Sequence, residues 1–259
     1  MMKKRYPIIV LWAHPRSMST ATERIMRERG DCHCLHEPFM YYYYVHLGKK
    51  KMPHFKVEAG RPTNFNEIVD LLFEAAERST VFSKDMAYYV LPEIQSHPEM
   101  AHELTHVFLI RDPRRAILSY HRLDPDLQCT EVGIESQWQL YQWIQSQIGR
   151  QPLVMRAEEI QDNPQAVIGA MWQRIGLEIK PEAFEWNQDD APDDWKQVNQ
   201  WHHSALKQQS IKKERMSEQE LQKQFDDAAK SAPRLQQLLE YHLPYYRKLA
   251  AAADRSPAK

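Results

Sequence analysis

Pro7-Ile8-Ile9-Val10-Leu11-Trp12, followed by Ala13-His14-Pro15-Arg16-Ser17-Met18-Ser19-Thr20, is the stretch that decides the fold of this 259-residue chain. The opening apolar run has the length of a buried parallel strand and is far too short to cross a bilayer. Beyond it Ser19 and Thr20 offer N-cap hydroxyls, and Thr20 with Glu23 has capping-box spacing ahead of Ile25 and Met26. A strand, a tight loop and a capped helix are predicted. A helix N-terminus exposes unpaired N–H groups and about half a positive charge, so such a loop holds an anion through its backbone while Arg16 adds a full charge. On the plainer reading Ser19, Thr20 and Glu23 only cap a helix and Arg16 sits in solvent.

A second handover of the same kind follows Thr105-His106-Val107-Phe108-Leu109-Ile110, another buried strand by its pattern. Asp112 is a good N-cap, and Pro113 falls at the first helical position, where its missing N–H does no harm. Arg111 therefore stands at the carboxyl end of a strand, the edge at which open α/β sheets bind ligands. Ser119 shares a helix face with Arg115, four residues back, and Arg122 lies near the same stripe. The spacing lets Arg111 and Ser119 hold one phosphate with Arg115 or Arg122 closing over it. Arg114 reads as part of a solvated face, and Arg115 and Arg122 fit either role.

These motifs carry a resemblance. Pro15-Arg16-Ser17-Met18-Ser19-Thr20 resembles the 5′-phosphosulfate loop of sulfotransferases that use 3′-phosphoadenosine 5′-phosphosulfate, and Arg111-Asp112-Pro113 followed by Ser119 resembles their 3′-phosphate site. Pro152-Leu153-Val154-Met155-Arg156-Ala157-Glu158-Glu159-Ile160, then Asn163-Pro164 and Ile175-Gly176-Leu177, is similar to the family's strand, acidic turn and helix. Order and separation match across roughly residues 7–180, with the small soluble bacterial-type members the nearest likeness. The resemblance implies an α/β fold, three-layered and P-loop-NTPase-like, with a central parallel sheet and a helical C-terminal region. It further implies an enzyme whose Arg16, Ser17, Met18, Ser19, Thr20, Arg111 and Ser119 bind 3′-phosphoadenosine 5′-phosphosulfate, with adenosine 3′,5′-bisphosphate as product and no metal required.

The chain departs from the family pattern in several places. Arg16 stands where Lys is common, Met18 where Gly is common, and Ala157 where Tyr is usual. Arg keeps the charge but is a planar fork rather than a compact ammonium. Met18 requires the loop to manage without positive φ at that position. The Gly-rich phosphate motif near the C-terminus of cytosolic members is also absent.

For the catalytic base, cytosolic members use a His two residues after a Lys. Here Lys84 is present and Met86 holds the His position, so the role passes to Glu37 in Leu35-His36-Glu37-Pro38-Phe39, a Glu-Pro setting similar to that of carbohydrate and several bacterial sulfotransferases. Burial among Tyr41-Tyr42-Tyr43-Tyr44 is expected to raise the Glu37 pKa. The plainer reading makes Glu37 a helix cap; His36 and Asp85 are alternative bases. Arg16, loop N–H groups and Lys84 are the candidates for stabilising charge on the transferring group.

Bulk properties narrow the class. The length allows one substantial α/β core, taken here as residues 1–250, with 251–259 a flexible tail. A net charge of −1 argues against a general nucleic-acid binder. The three cysteines, Cys32, Cys34 and Cys129, make no disulfide framework and fit a reducing compartment; with no signal peptide or spanning segment visible, a cytoplasmic enzyme acting on a small-molecule acceptor is expected. His33 and His36 with those cysteines suggest metal ligands, but strand alternation points the two histidines to opposite faces. No metal site is assigned. Residues 49–56 form a basic, breaker-rich loop, read as a lid or as a solvated charge run, and Trp195, Trp201, His202 and His203 are candidates for an acceptor rim. Helices are expected at 66–78, 134–148 and 164–175, and from 217 to 249 with a break near Pro233.

Two further readings stand beside sulfuryl transfer. A kinase or nucleotide hydrolase of the P-loop type lacks its Gly-x-x-x-x-Gly-Lys-Ser/Thr cradle in this chain. A noncatalytic nucleotide-binding protein of the same fold is compatible with the departures at Met18, Met86 and Ala157.

Overall fold

In a computed structural model, which describes residues 5–186, 192–198, 200–201, 209–211, 213 and 216–254, the apolar runs become strands of one parallel sheet. The strands are β1 (Ile8–Ala13), β2 (Cys32–His36), β3 (Thr80–Met86), β4 (Leu104–Ile110) and β5 (Leu153–Arg156), in the order β2-β3-β1-β4-β5. Every pairing is parallel. Alternation along β1 divides the core: Ile8, Val10 and Trp12 pack into one apolar cluster and Ile9 and Leu11 into the other. Helix α1 (Ser19–Glu28), through Ile25 and Met26, and the helix Pro164–Arg174, through Ile168, Met171 and Trp172, cover the second face. The first face is covered by α2 (Pro38–Tyr41), α3 (Phe65–Ala76), α4 (Ala87–Ser96) and the helices Ile134–Trp143, Glu218–Ser231 and Arg234–Asp254. The three-layer α/β arrangement with a helical C-terminal region follows.

Because all five strands run the same way, their carboxyl ends gather at one edge. His36 pairs with Lys84, Ala13 with Met86, and Ile110 with Arg156 in the sheet register. The loop from His14 to Met18, Glu37 and Arg111 follow three of those ends.

Helix ends differ in detail from the sequence pattern. Asn64 caps α3 by accepting from the Glu67 N–H, which moves that helix one residue earlier than expected. Ile144–Ile148 continues the preceding helix as a π-helical turn closed by Gly149 at φ 68°. The final helix runs through Asp254, so residues 251–254, expected to be flexible, are helical, with Leu249 and Ala252 packed into the first apolar cluster; residues 255–259 lie outside the described residues.

Candidate functional site

The loop from β1 to α1 is tightly turned. Arg16 (φ 65°) and Met18 (φ 70°) both occupy the left-handed region. The expectation that Met18 avoids positive φ is therefore overturned. A non-glycine residue there costs about 1–2 kcal/mol, and the half-buried Met18 side chain offsets this by packing on the apolar cluster beneath α1. The capping box expected of Thr20 and Glu23 does not form either. Met18, whose thioether is a poor acceptor, is the N-cap and makes no side-chain bond, and Glu23 is fully buried and turned to cationic and N–H partners below the helix. With no side chain capping it, the first turn of α1 presents Ser19, Thr20 and Ala21 to a cavity of about 340 Å³.

The second handover meets the first across β1 and β4. Asp112 caps α5 (Pro113–His121) by accepting from the Arg114 N–H at 2.8 Å, with Pro113 in the first turn. Arg111 donates through Nη1 to the Arg16 carbonyl (3.1 Å), and its backbone N–H donates to His14 Nε2 (3.0 Å). Arg16 Nε donates to Ser119 Oγ at 2.8 Å, and its Nη1 reaches the Trp201 carbonyl. The two phosphate grips read separately from sequence thus form one cationic floor. Its charge is crowded: burial first, then Arg111 and Arg122, lowers the Arg16 pKa to about 10. Arg114 pairs with Asp112 and Glu218, and Arg115 Nη2 donates to the Met216 carbonyl. Ser17 Oγ is buried with no hydrogen-bond partner, and Ser17 does not line the cavity.

His14 opens the loop motif, and its role comes from tertiary structure. It is fully buried, and burial drives its pKa down to about 3. Its Nε2 accepts from Arg111, so Nδ1 carries the proton and faces the Pro15 carbonyl at 3.1 Å. Neutral His14 is the rivet between the two loops.

Of the three candidate bases, only Glu37 lines the cavity. It stands at the N-terminus of α2 with φ 44°, makes no side-chain cap, and is 6% exposed. Lys84 Nζ donates to Glu37 Oε1 and the Tyr89 hydroxyl donates to Oε2 at 2.9 Å. Burial pushes the Glu37 pKa up, but the Lys84 charge and the hydrogen bonds from Lys84 and Tyr89 outweigh it, and the net shift is downward. The sequence expectation of a raised pKa is corrected by a cation from the neighbouring strand. Lys84 itself is fully buried and lies off the cavity, so its charge acts on Glu37. Asp85 accepts from the Phe39 N–H and Ser83 Oγ, and burial holds its pKa well above the carboxylate range. His36 donates through Nδ1 to Glu23, and burial keeps it neutral.

An aromatic wall completes the cavity. Tyr44, Tyr88, Tyr89, Tyr120 and Trp201 line it together with Met52 and Met86. Sequence reading found Tyr44 and Trp201 but missed Tyr88, Tyr89 and Tyr120; for the first two the available signal was the tyrosine pair that follows Lys84-Asp85-Met86-Ala87. Trp195 is buried behind the cavity, donating to Glu23 at 2.9 Å, and His202 and His203 lie outside the described residues. The 49–56 loop is held in place: Lys50 pairs with Asp124 and Glu131, and the Trp201 indole N–H donates to the Pro53 carbonyl. Ala157 is in the core. Among the described residues, no group of three or more His, Cys, Asp or Glu side chains is placed to hold a metal ion, and no helix is long and apolar enough to cross a membrane.

The family profile described as sulfotransferase domain matches residues 7–250. The chain belongs to the sulfotransferase family. Among solved structures, the sulfotransferase domain from the curacin biosynthetic pathway is similar at 15% identity and a TM-score of 0.51, over 87% of this chain and 99% of that one. A sulfotransferase from Alicyclobacillus acidocaldarius gives 15% and 0.51, over 79% and 100%. Both likenesses concern the fold. Two Arabidopsis thaliana proteins named branched-chain-amino-acid aminotransferase-like proteins 2 and 1 are each 22% identical, over 77% and 76% of this chain. The chain spans 35% of the length of either. In this sulfotransferase domain the cationic floor and the carboxylate of Glu37 share one cavity.

Proposed function

We propose that this protein transfers a sulfuryl group from 3′-phosphoadenosine 5′-phosphosulfate to a hydroxyl or amine of a small-molecule acceptor by in-line displacement. The observation that carries the proposal is the single cavity in which Arg16, Arg111 and the uncapped end of α1 stand with an ionised carboxylate, Glu37. The donor set fits an anionic nucleotide: Arg16 is crowded by other cations, and Ser19, Thr20, Arg111 and Ser119 line the same cavity. When bound, the nucleotide supplies the sulfuryl group and departs as adenosine 3′,5′-bisphosphate.

The remaining roles belong to the chain. Arg16, Ser17, Met18, Ser19 and Thr20 form the loop that holds the 5′ end, and Arg111 and Ser119 hold the 3′-phosphate. Arg16 is the full charge within the loop and stabilises the negative charge that develops on the leaving oxygen. Glu37 takes the acceptor's proton, with Lys84 keeping it ionised despite burial. The aromatic wall excludes water and seats the acceptor. Absence of a transmembrane helix among the described residues is compatible with a cytoplasmic setting.

A second reading, a nucleotide binder without turnover, is favoured by one observation: both Glu37 oxygens are already engaged, by Lys84 and Tyr89. Calorimetric titration with adenosine 3′,5′-bisphosphate in the absence of metal is expected to show binding that ATP with magnesium does not match; preference for ATP sinks both readings. Transfer of labelled sulfate to a panel of hydroxyl and amine acceptors separates enzyme from binder. In the enzyme, Glu37→Gln is expected to cost about 10²–10⁴ in rate, and full turnover removes Glu37 from the role.

A further inference from the structure

The cluster behind Glu37 contains more buried charge than a lone base needs. Glu23, on the helix whose first turn faces the cavity, is fully buried. Its Oε2 accepts from His36 Nδ1 at 2.6 Å and lies 3.9 Å from Lys84 Nζ. Its Oε1 accepts from Trp195 Nε1 and Arg27 Nε, both at 2.9 Å. Lys84 therefore stands between two carboxylates, with Glu37 on the cavity side and Glu23 on the helix side. His36 spans the same pair, its Nε2 being 3.8 Å from Glu37 Oε1.

We propose that Glu23 is a positioning residue for the base: through Lys84 and His36 it fixes where the Glu37 carboxylate sits and how strongly that carboxylate holds a proton. This rests on the reading of Glu37 as base. Glu23 shares the Lys84 charge, so that Glu37 is held ionised without being stripped of basicity, and it ties this balance to α1, the element that meets the anion. The other groups around Glu37 are accounted for. Tyr89, from α4, donates to it, and Asp85, from β3, faces its own partners Ser83 and Phe39. On the far side Arg27 joins Glu23 to Asp194, and Arg61 lowers the His36 pKa from a distance.

The two neighbours of Lys84 predict opposite effects. Glu23→Gln leaves Lys84 acting on Glu37 alone and moves the Glu37 titration to lower pH; Lys84→Met leaves a buried unpaired carboxylate and moves it upward by about one pH unit or more. Tyr89→Phe removes one bond to the ionised form and moves it upward by less, which keeps the comparison available if Lys84→Met does not fold. The experiment is a pH titration of the Glu37 carboxylate by difference infrared spectroscopy, with Glu37→Gln as the blank, alongside the acid limb of the transfer rate. A downward shift in Glu23→Gln with an upward shift in Tyr89→Phe or Lys84→Met supports the proposal. Shifts in the same direction, or none in Glu23→Gln, overturn it. If the infrared shifts appear while the rate profile ignores them, the positioning stands and the assignment of Glu37 as base fails.

Discussion

His14 makes the junction of the two loops acid-labile, and the size of the effect follows from its burial. In the fold its pKa is about 3, against 6.5 for the ordinary side chain. The folded value lies below the unfolded one, so as pH falls the unfolded chain takes up the proton first. The stabilisation is complete above about pH 6.5 and is lost progressively toward pH 3. Between pH 7 and pH 5 the loss amounts to about 2 kcal/mol, from some 1.5 units of proton linkage at about 1.4 kcal/mol each. Urea unfolding followed by tryptophan fluorescence at pH 7, 6 and 5 measures it, with His14→Gln as comparison. The amide has no proton to gain and can still accept from the Arg111 N–H. His106, whose burial lowers its pKa to about 4 and whose Nδ1 accepts from the Trp12 indole, adds a similar acid loss. That contribution is common to both proteins and cancels. Wild type is expected to lose about 2 kcal/mol more than the variant over this interval. Equal losses in the two proteins would show that His14 is not held neutral by the fold, and the rivet between Arg111 and the β1 loop would have to be given up.

Arg16→Lys keeps the charge but cannot reach both Ser119 Oγ and the Trp201 carbonyl, so affinity for adenosine 3′,5′-bisphosphate by calorimetry is expected to fall about tenfold. Gly133→Ala introduces a Cβ at φ +78° that meets Tyr88 Cδ1 at 3.2 Å and His14 Cβ at 3.3 Å. It is expected to cost about 1–3 kcal/mol in urea unfolding and to weaken bisphosphate binding, because the displaced atoms belong to the anion loop and the aromatic wall. Lys50→Met leaves Asp124 and Glu131 buried without their cation and is expected to destabilise the fold by about 3–5 kcal/mol, read as a lower thermal midpoint.

Local physics explains what was legible in the chain alone. An apolar run of strand length followed by a short loop encodes β1 to α1 and, with its Asp112 cap and Pro113, β4 to α5 within a dozen residues each, and parallel strands buried on both faces leave an apolar run no other home. The positions of Arg16, Arg111 and Glu37 followed, since each comes within three residues of the end of a strand. What tertiary structure decided lies between segments distant in sequence. Arg16 meets Ser119 across 103 positions and Lys84 meets Glu37 across 47, so neither the fusion of the two grips nor the downward shift of Glu37 has a local signal. Met18 adopts positive φ because its side chain finds a core that only the packed α1 provides. Sequence set which charges arrive at the sheet edge; three-dimensional packing set which of them neutralise one another, because burial and opposite charge act on a carboxylate in contrary directions and only distance decides between them.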